Sequence, residues 1–227
     1  MRCRNWLMQP NYEQRLRLTF RKLGPTRYIG HLDLARTLER SLNRAHIPMA
    51  YTQGFNQRPR MQMATALPLG TTSEYELADI WLTEKMDPET ARQQLMEKMA
   101  PGIDVFRMEE IAFAEPALQT LTVSSHYVAT ILDPVDTAVL QTRIDALLAS
   151  ETHIRERATG KKRKPYDLRP LILDISLNQT DDALQINMHL SLAPSKTGRP
   201  DEVLLTLELD PLAARIHRTK IMLAEDA

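Results

Sequence analysis

Two runs of strict period-two alternation constrain this 227-residue chain more than any other feature of it. In Arg15-Leu16-Arg17-Leu18-Thr19-Phe20-Arg21-Lys22 the apolar side chains fall on alternate positions, and Gly24-Pro25 stops the pattern. Leu184, Ile186, Met188, Leu190 and Leu192 alternate in the same way with Gln185, Asn187, His189 and Ser191. Successive side chains of a strand point to opposite faces, so each run predicts a strand with one dry and one polar face, the mark of an antiparallel sheet covered on one side.

Helical periods fall between such strands. From His31 to His46 the residues Leu34, Leu38, Leu42 and Ala45 recur at three to four positions, Asp33 lies in the first turn and Pro48 ends the pattern. Asp87-Pro88 opens a helix through Ala91, Leu95 and Met99 that Pro101-Gly102 breaks, and Asp133-Pro134 opens another with Leu140, Ile144, Leu147 and Leu148. Arg199-Pro200-Asp201-Glu202 opens a short one through Leu209. Further extended stretches are expected at 49–52, 61–67, 74–83, 103–111, 126–132, 151–158, 168–177 and 215–223. The order is βαββαβ, then βαββαβ with one additional strand before its last helix. It predicts an α+β protein of tandem ferredoxin-like βαββαβ units, with antiparallel sheets and helices on one face. The domains are expected at 14–111 and 126–223, joined by a linker over 112–125, which contains Pro116 and has no period.

The formal net charge of zero conceals blocks of opposite sign. Residues 1–60 carry 12 Lys plus Arg against 3 Asp plus Glu, whereas residues 61–152 carry 5 against 15. Residues 153–200 are net +4 and 201–227 net −3. Six of the twelve aromatic residues also lie in the first 60 positions. Cations interleaved with rings suit a nucleic-acid surface, the cations meeting phosphates and the rings meeting bases. Equally, the basic and acidic blocks can face one another and neutralise within the fold. One cysteine, Cys3, excludes an internal disulfide and a cluster held by the chain's own cysteines. With no stretch of roughly 18 apolar residues, the chain is read as cytoplasmic and without a membrane partner.

The segments Tyr28-Ile29-Gly30-His31-Leu32-Asp33-Leu34-Ala35-Arg36, Gln53-Gly54-Phe55-Asn56-Gln57-Arg58-Pro59-Arg60, Ala66-Leu67-Pro68-Leu69-Gly70, Arg169-Pro170-Leu171-Ile172 and Arg199-Pro200-Asp201-Glu202-Val203-Leu204 together resemble the radical-SAM-linked family of bacterial domains. The resemblance spans most of residues 14–223. It implies association with a radical SAM protein in RNA or ribosome metabolism, and no established activity. The chain lacks the CxxxCxxC that holds a SAM-cleaving cluster, so it is not itself the radical enzyme.

Several side chains are candidates for a site. His31, two residues before Asp33, is a candidate acid or base whose tautomer a carboxylate could fix, or else a capping or packing histidine. Arg36, Arg40 and Arg44 form a stripe opposite the leucines, suited to a phosphate backbone or simply to solvent. In the loop Gly54, Phe55, Asn56, Arg58 and Arg60, the ring either stacks a base or plugs the core. Lys161, Lys162, Arg163 and Lys164 fall at a hairpin tip, free to meet phosphate or water. No metal-ligand spacing and no phosphate-binding glycine loop occur, so neither metal nor cofactor is expected. The leading expectation is a non-catalytic RNA-binding and partner-binding module serving a separate radical SAM enzyme. The alternatives are an RNA-processing or RNA-modifying enzyme using His31, and an assembly factor whose acidic block binds only protein.

Overall fold

The computed structural model describes residues 12–53, 55–159, 162–180 and 183–226, with the side chains of 157–163 and 226 not described. The alternating run of Gln14–Lys22 forms strand β1, followed by helix α1 over His31–Arg44, β2 over Met61–Met63, β3 over Thr72–Leu82, α2 over Pro88–Met96 and β4 over Ile103–Glu110. A short helix α3, Leu118–Leu121, leads into β5 over Thr122–Ile131, α4 over Thr137–Ala149 and the hairpin β6, Ile154–Thr159, with β7, Lys162–Asp167. Then come β8 over Ile172–Gln179, β9 over Leu184–Ala193, β10 over Lys196–Thr197, α5 over Pro200–Thr206 and β11 over Ala214–Leu223.

The protein is a mixed α/β structure around one large, mostly antiparallel sheet. Nine strands run in the order β10-β9-β5-β11-β3-β1-β4, with β2 also paired to β3 and β8 to β9. The sheets of the two halves are therefore not separate, as the sequence suggests. Parallel pairing of His217 with Thr72 and Arg218 with Ser73 fuses β11 to β3. β2 is too short to occupy the whole edge of β3, pairing only with Ala78 to Ile80, and β11 takes the remainder.

Burial follows the alternation. Leu16, Leu18 and Phe20 are fully buried and pack with Leu34, Leu38 and Leu42 of α1 and Ala91 and Leu95 of α2. In the second half Ile186, Met188 and Leu190 of β9 pack with Leu140, Ile144 and Leu147 of α4 and Val203 and Leu204 of α5. A third cluster, built from Ala64, Leu77, Leu118, Leu192, Ile221 and Leu223, belongs to both halves and closes the seam. The stretch 112–125, expected as a linker, thus supplies a buried residue and the first turns of β5. Over 112–121 its lack of period reflects one buried anchor, Leu118, and Thr122, Ser124 and Ser125 are buried where β5 begins.

Local punctuation is confirmed at one expected helix start and moved at another. Asp87 caps α2 by accepting from Thr90 N at 2.8 Å, with Pro88 at the first helical position. Before α4, however, the cap is Asp136 rather than Asp133, and it accepts from Ala138 N and Val139 N at 2.9 and 3.2 Å. Asp133 precedes Pro134, and a residue before proline disfavours the helical region. Gly102 has φ +91°, and a Cβ there would stand 2.6 Å from Leu23 O, so the break after α2 requires glycine. Arg169–Leu171 forms a single 3-10 turn that interrupts the expected strand 168–177.

The polar face of β1 is buried too, except at Arg21. Arg15 and Arg17 are 3% and 5% exposed, and both meet the fully buried Asp79 of β3. Arg15 Nη2 donates to Asp79 at 2.6 Å, while Arg17 donates through Nε at 2.8 Å and Nη2 at 3.2 Å. Arg15 also donates to the carbonyls of Glu115 at 2.8 Å and Pro116 at 3.1 Å, which holds 112–116 across this face. On the core side of the seam, Arg218 donates to Glu76 at 2.9 Å and to the Tyr127 hydroxyl at 2.8 Å. Nearby, burial pushes the Lys22 ammonium below the ordinary lysine range, with Glu76 opposing and Arg218 and Arg27 adding to the shift.

One carboxylate serving two buried guanidiniums makes a sharp prediction. Asp79→Asn keeps the shape but removes the buried counter-charge shared by two cations, leaving only Glu115 at 3.8 Å from Arg17, and should cost about 3–5 kcal/mol in urea unfolding. Asp33→Asn, which breaks the exposed Asp33 and Arg36 pair, should cost less than about 1 kcal/mol.

Candidate functional site

The basic block divides by direction. Of its β1 cations, Arg15, Arg17 and Lys22 are buried, with Asp79 pairing to both arginines, while Arg21 stays exposed and pairs with Asp104 at 3.2 Å. Internal neutralisation therefore accounts for β1. It does not account for α1, where Arg36, Arg40 and Arg44 are exposed on the side away from the buried Leu34, Leu38 and Leu42. Arg44 donates to Ser41 Oγ at 3.2 Å and to the Lys98 carbonyl at 3.0 Å, which fixes its stem beside α2.

The loop after α1 stands out from the molecule. Phe55 is 107% exposed, so it does not plug the core, and Asn56 and Arg58 are exposed beside it. The loop base is closed by a bridge between Tyr51 and Pro59 and by Thr52 N donating to Arg58 O at 2.8 Å. The hydroxyl of Tyr51, itself 45% exposed, meets Asn43 Oδ1 at 3.4 Å and sets the loop against the C-terminal end of α1. Two exposed rings and the exposed Arg58 thereby lie in a loop that meets α1 at Asn43, next in sequence to Arg44. Gly54 lies outside the described residues.

On the other side of α1 a cleft of about 640 Å³ opens between the helix, β2 and the 112–119 segment. His31, the first residue of α1, lines it together with Glu39, and His31 Nδ1 is buried with no hydrogen-bond partner. The helix is capped by Gly30 without a side-chain bond, so His31 is not a cap. Asp33 does not orient it either; that carboxylate accepts from Arg36 at 3.3 Å. The floor of the cleft is Arg15 and Trp81, cross-strand partners in β1 and β3. Arg60 lines the wall, its guanidinium carbon 4.8 Å from the Trp81 ring centre and 4.6 Å from that of Tyr12.

Of the expected candidates, the structure leaves Arg36, Arg40, Arg44, Phe55, Asn56 and Arg58 exposed and sends His31 and Arg60 to the cleft. The basic run is set apart on the β6 and β7 hairpin. Lys161 lies outside the described residues, the side chains of Lys162 and Arg163 are not described, and Lys164 is exposed. Sequence reasoning missed Arg15, Glu39 and Trp81. Arg15 was legible only as a strand residue, and only the pairing of β1 with β3 sets it beside Trp81. Among the described residues no group of three or more His, Cys, Asp or Glu is arranged to hold a metal ion. No helix of the described residues is long and apolar enough to cross a membrane.

Some segments singled out in the sequence also meet at the seam. Gly70 N donates to Arg27 O at 2.8 Å, and Arg27, Tyr28, Pro68, Leu69, Arg199 and Pro200 line one pocket of about 430 Å³.

Fold and site together define a mixed α/β protein in which a large antiparallel sheet carries an arginine-faced helix beside an open cleft. The chain belongs to the family described as "Uncharacterized protein conserved in bacteria (DUF2344)", whose model matches residues 15–200. No curated protein matches the sequence. Among solved structures, a chain of the "Crystal Structure of a Cbf5-Nop10-Gar1 Complex" is similar in fold, with a TM-score of 0.50 and 9% identity over 91% of this chain. This chain spans about half of that one, 48% of its length.

A stacked histidine pair lies on β5 and β9. His126 and His189 have ring centres 4.0 Å apart at 14°, and His189 Nε2 meets Ser124 Oγ at 2.8 Å. Burial holds the His126 imidazole below its ordinary value of 6.5, and the charges of His189 and Lys220 add to the shift against the opposing Asp174. A histidine with a depressed pKa takes up its proton more readily when unfolded, so stability falls as the pH drops below about 6.5. His126→Gln should flatten the dependence of melting temperature on pH below about 6.5, as read by thermal melts across a pH series.

Proposed function

We propose that the protein is a non-catalytic RNA-binding and partner-binding module of two ferredoxin-like units, working in the cytoplasm with a separate radical SAM enzyme. Strand order supports the paired units: β4-β1-β3-β2 in the first half and β11-β5-β9-β8 in the second each follow the ferredoxin-like arrangement. The radical SAM association rests on the resemblance of the quoted segments. The RNA reading rests on one observation, that the arginines of α1 and the rings of Tyr51 and Phe55 in the loop that meets the helix at Asn43 are all exposed. Guanidinium forks suit phosphate oxygens, and an exposed ring stacks any base. A fully exposed Phe55 contributes nothing to folding by burial and leaves both faces of its ring free to stack.

A second reading, an RNA-modifying enzyme, is favoured by the unpartnered Nδ1 of His31 inside the cleft. Incubation with total RNA separates the two readings: unaltered products support the module, and altered products that disappear in His31→Gln support the enzyme.

Replacing Arg36, Arg40 and Arg44 together by alanine should weaken single-stranded RNA binding and flatten log affinity against log salt by roughly two units, at about 0.7 per phosphate contact. Phe55→Ala should cost roughly 1–3 kcal/mol of binding and leave the melting temperature unchanged, whereas Phe55→Tyr should bind nearly as wild type. Gel shifts across a salt series, with thermal melts of each variant, measure both.

A further inference from the structure

The geometry points to a second, separate site: we propose that the cleft beside α1 binds a nucleotide, its phosphate on Arg60 and its base against the aromatic wall. Arg60 carries the argument. Its guanidinium is held at the Tyr12 and Trp81 rings, and among the described residues it has no hydrogen-bond or ion-pair acceptor. The backbone on either side is pinned, Arg60 N donating to Ala50 O at 2.7 Å and Arg60 O accepting from Trp81 N at 3.2 Å. A planar fork fixed by rings and backbone loses little freedom when it takes two phosphate oxygens.

The other lining groups complete a ligand of this class. His31 and Arg15 both line the cleft, and each carries a buried nitrogen without a partner, Nδ1 and Nε, just behind its surface. A group buried in that state costs stability unless something meets it. Phe113, tilted at 57° against Tyr12 and 51% exposed, offers a free ring face for a base. The Gln62 and Gln119 amides, joined at 3.2 Å, retain donors and acceptors for a base edge.

The two carboxylates of the cleft do not oppose this assignment. Glu115 lies 3.8 Å from Arg17 and is drawn toward the buried cations. Glu39 lines the cleft without a partner among the described residues and can accept from ribose hydroxyls. A bare polyanion would leave Glu39 unmatched, whereas a nucleotide matches both it and Arg60. The volume, about 640 Å³, lies within the usual range of roughly 300–1,000 Å³ for small-molecule sites.

The inference does not rest on the RNA reading, because the cleft and the arginine face use different residues. The test uses the full chain with Trp6→Phe, which leaves Trp81 as the sole indole reporter. Its fluorescence is titrated with adenosine 5′-monophosphate, with adenosine and with inorganic phosphate. The expected result is a saturable change with the nucleotide, at least about tenfold tighter than with adenosine or phosphate alone. Arg60→Met should weaken it by about tenfold or more at an unchanged melting temperature, and Arg60→Lys should recover part of the loss. Replacing Arg36, Arg40 and Arg44 should leave nucleotide binding unaltered. No saturable change up to about 10 mM nucleotide, or equal affinity in both Arg60 variants, would overturn the proposal.

Discussion

Asp79 is the group on which most of this structure depends. A carboxylate with no solvent exposure is stable as an ion only when cations and donors surround it, and it receives Arg15 and Arg17 from the neighbouring strand. Two guanidiniums on one carboxylate leave a surplus of positive charge in a dry place. The carbonyls of Glu115 and Pro116 absorb part of it by accepting from Arg15. That polar demand draws the segment after β4 across the sheet and delivers Leu118 to the seam cluster. One ion cluster thereby sets the path from the first half into the second.

The same cluster divides the positive charge of the first 60 residues. On β1, Arg15 and Arg17 are neutralised in the interior by Asp79 and the exposed Arg21 pairs with Asp104, so the block's composition overstates the field that solvent sees. Those on α1 and in the following loop remain outside, because helical spacing puts them opposite the leucines and the loop carries them clear of the sheet. Internal neutralisation holds on β1, whereas the α1 arginines stay exposed. The seam repeats the arrangement with Arg218 on Glu76, a second ion pair buried between strands of different halves.

Much of this was legible in the sequence because alternation and helical period report directly on burial. Leu16, Leu18 and Phe20 are inward as their spacing predicts, as are Leu34, Leu38 and Leu42. Period two, however, cannot reveal that the polar face of a strand is covered as well, and the burial of Arg15 and Arg17 depends on a segment about 100 positions later in the chain. The fusion of the sheets was invisible for the same reason: it follows from a short β2 that leaves part of β3 for β11. At the site, the exposed arginines and Phe55 could be read locally. The cleft could not, because His31, Arg60, Trp81 and Gln119 lie on four separate segments that only the folded sheet brings together.

The claim that matters most is that the outward cations and rings form the RNA face. Photo-cross-linking of a 4-thiouridine-containing single-stranded RNA to the full chain, followed by mapping of the attached peptides, tests it directly. The account predicts adducts concentrated on α1 and on the loop from Tyr51 to Arg58. Adducts confined to the second half, or none above those on a neutral protein of similar size, would contradict it.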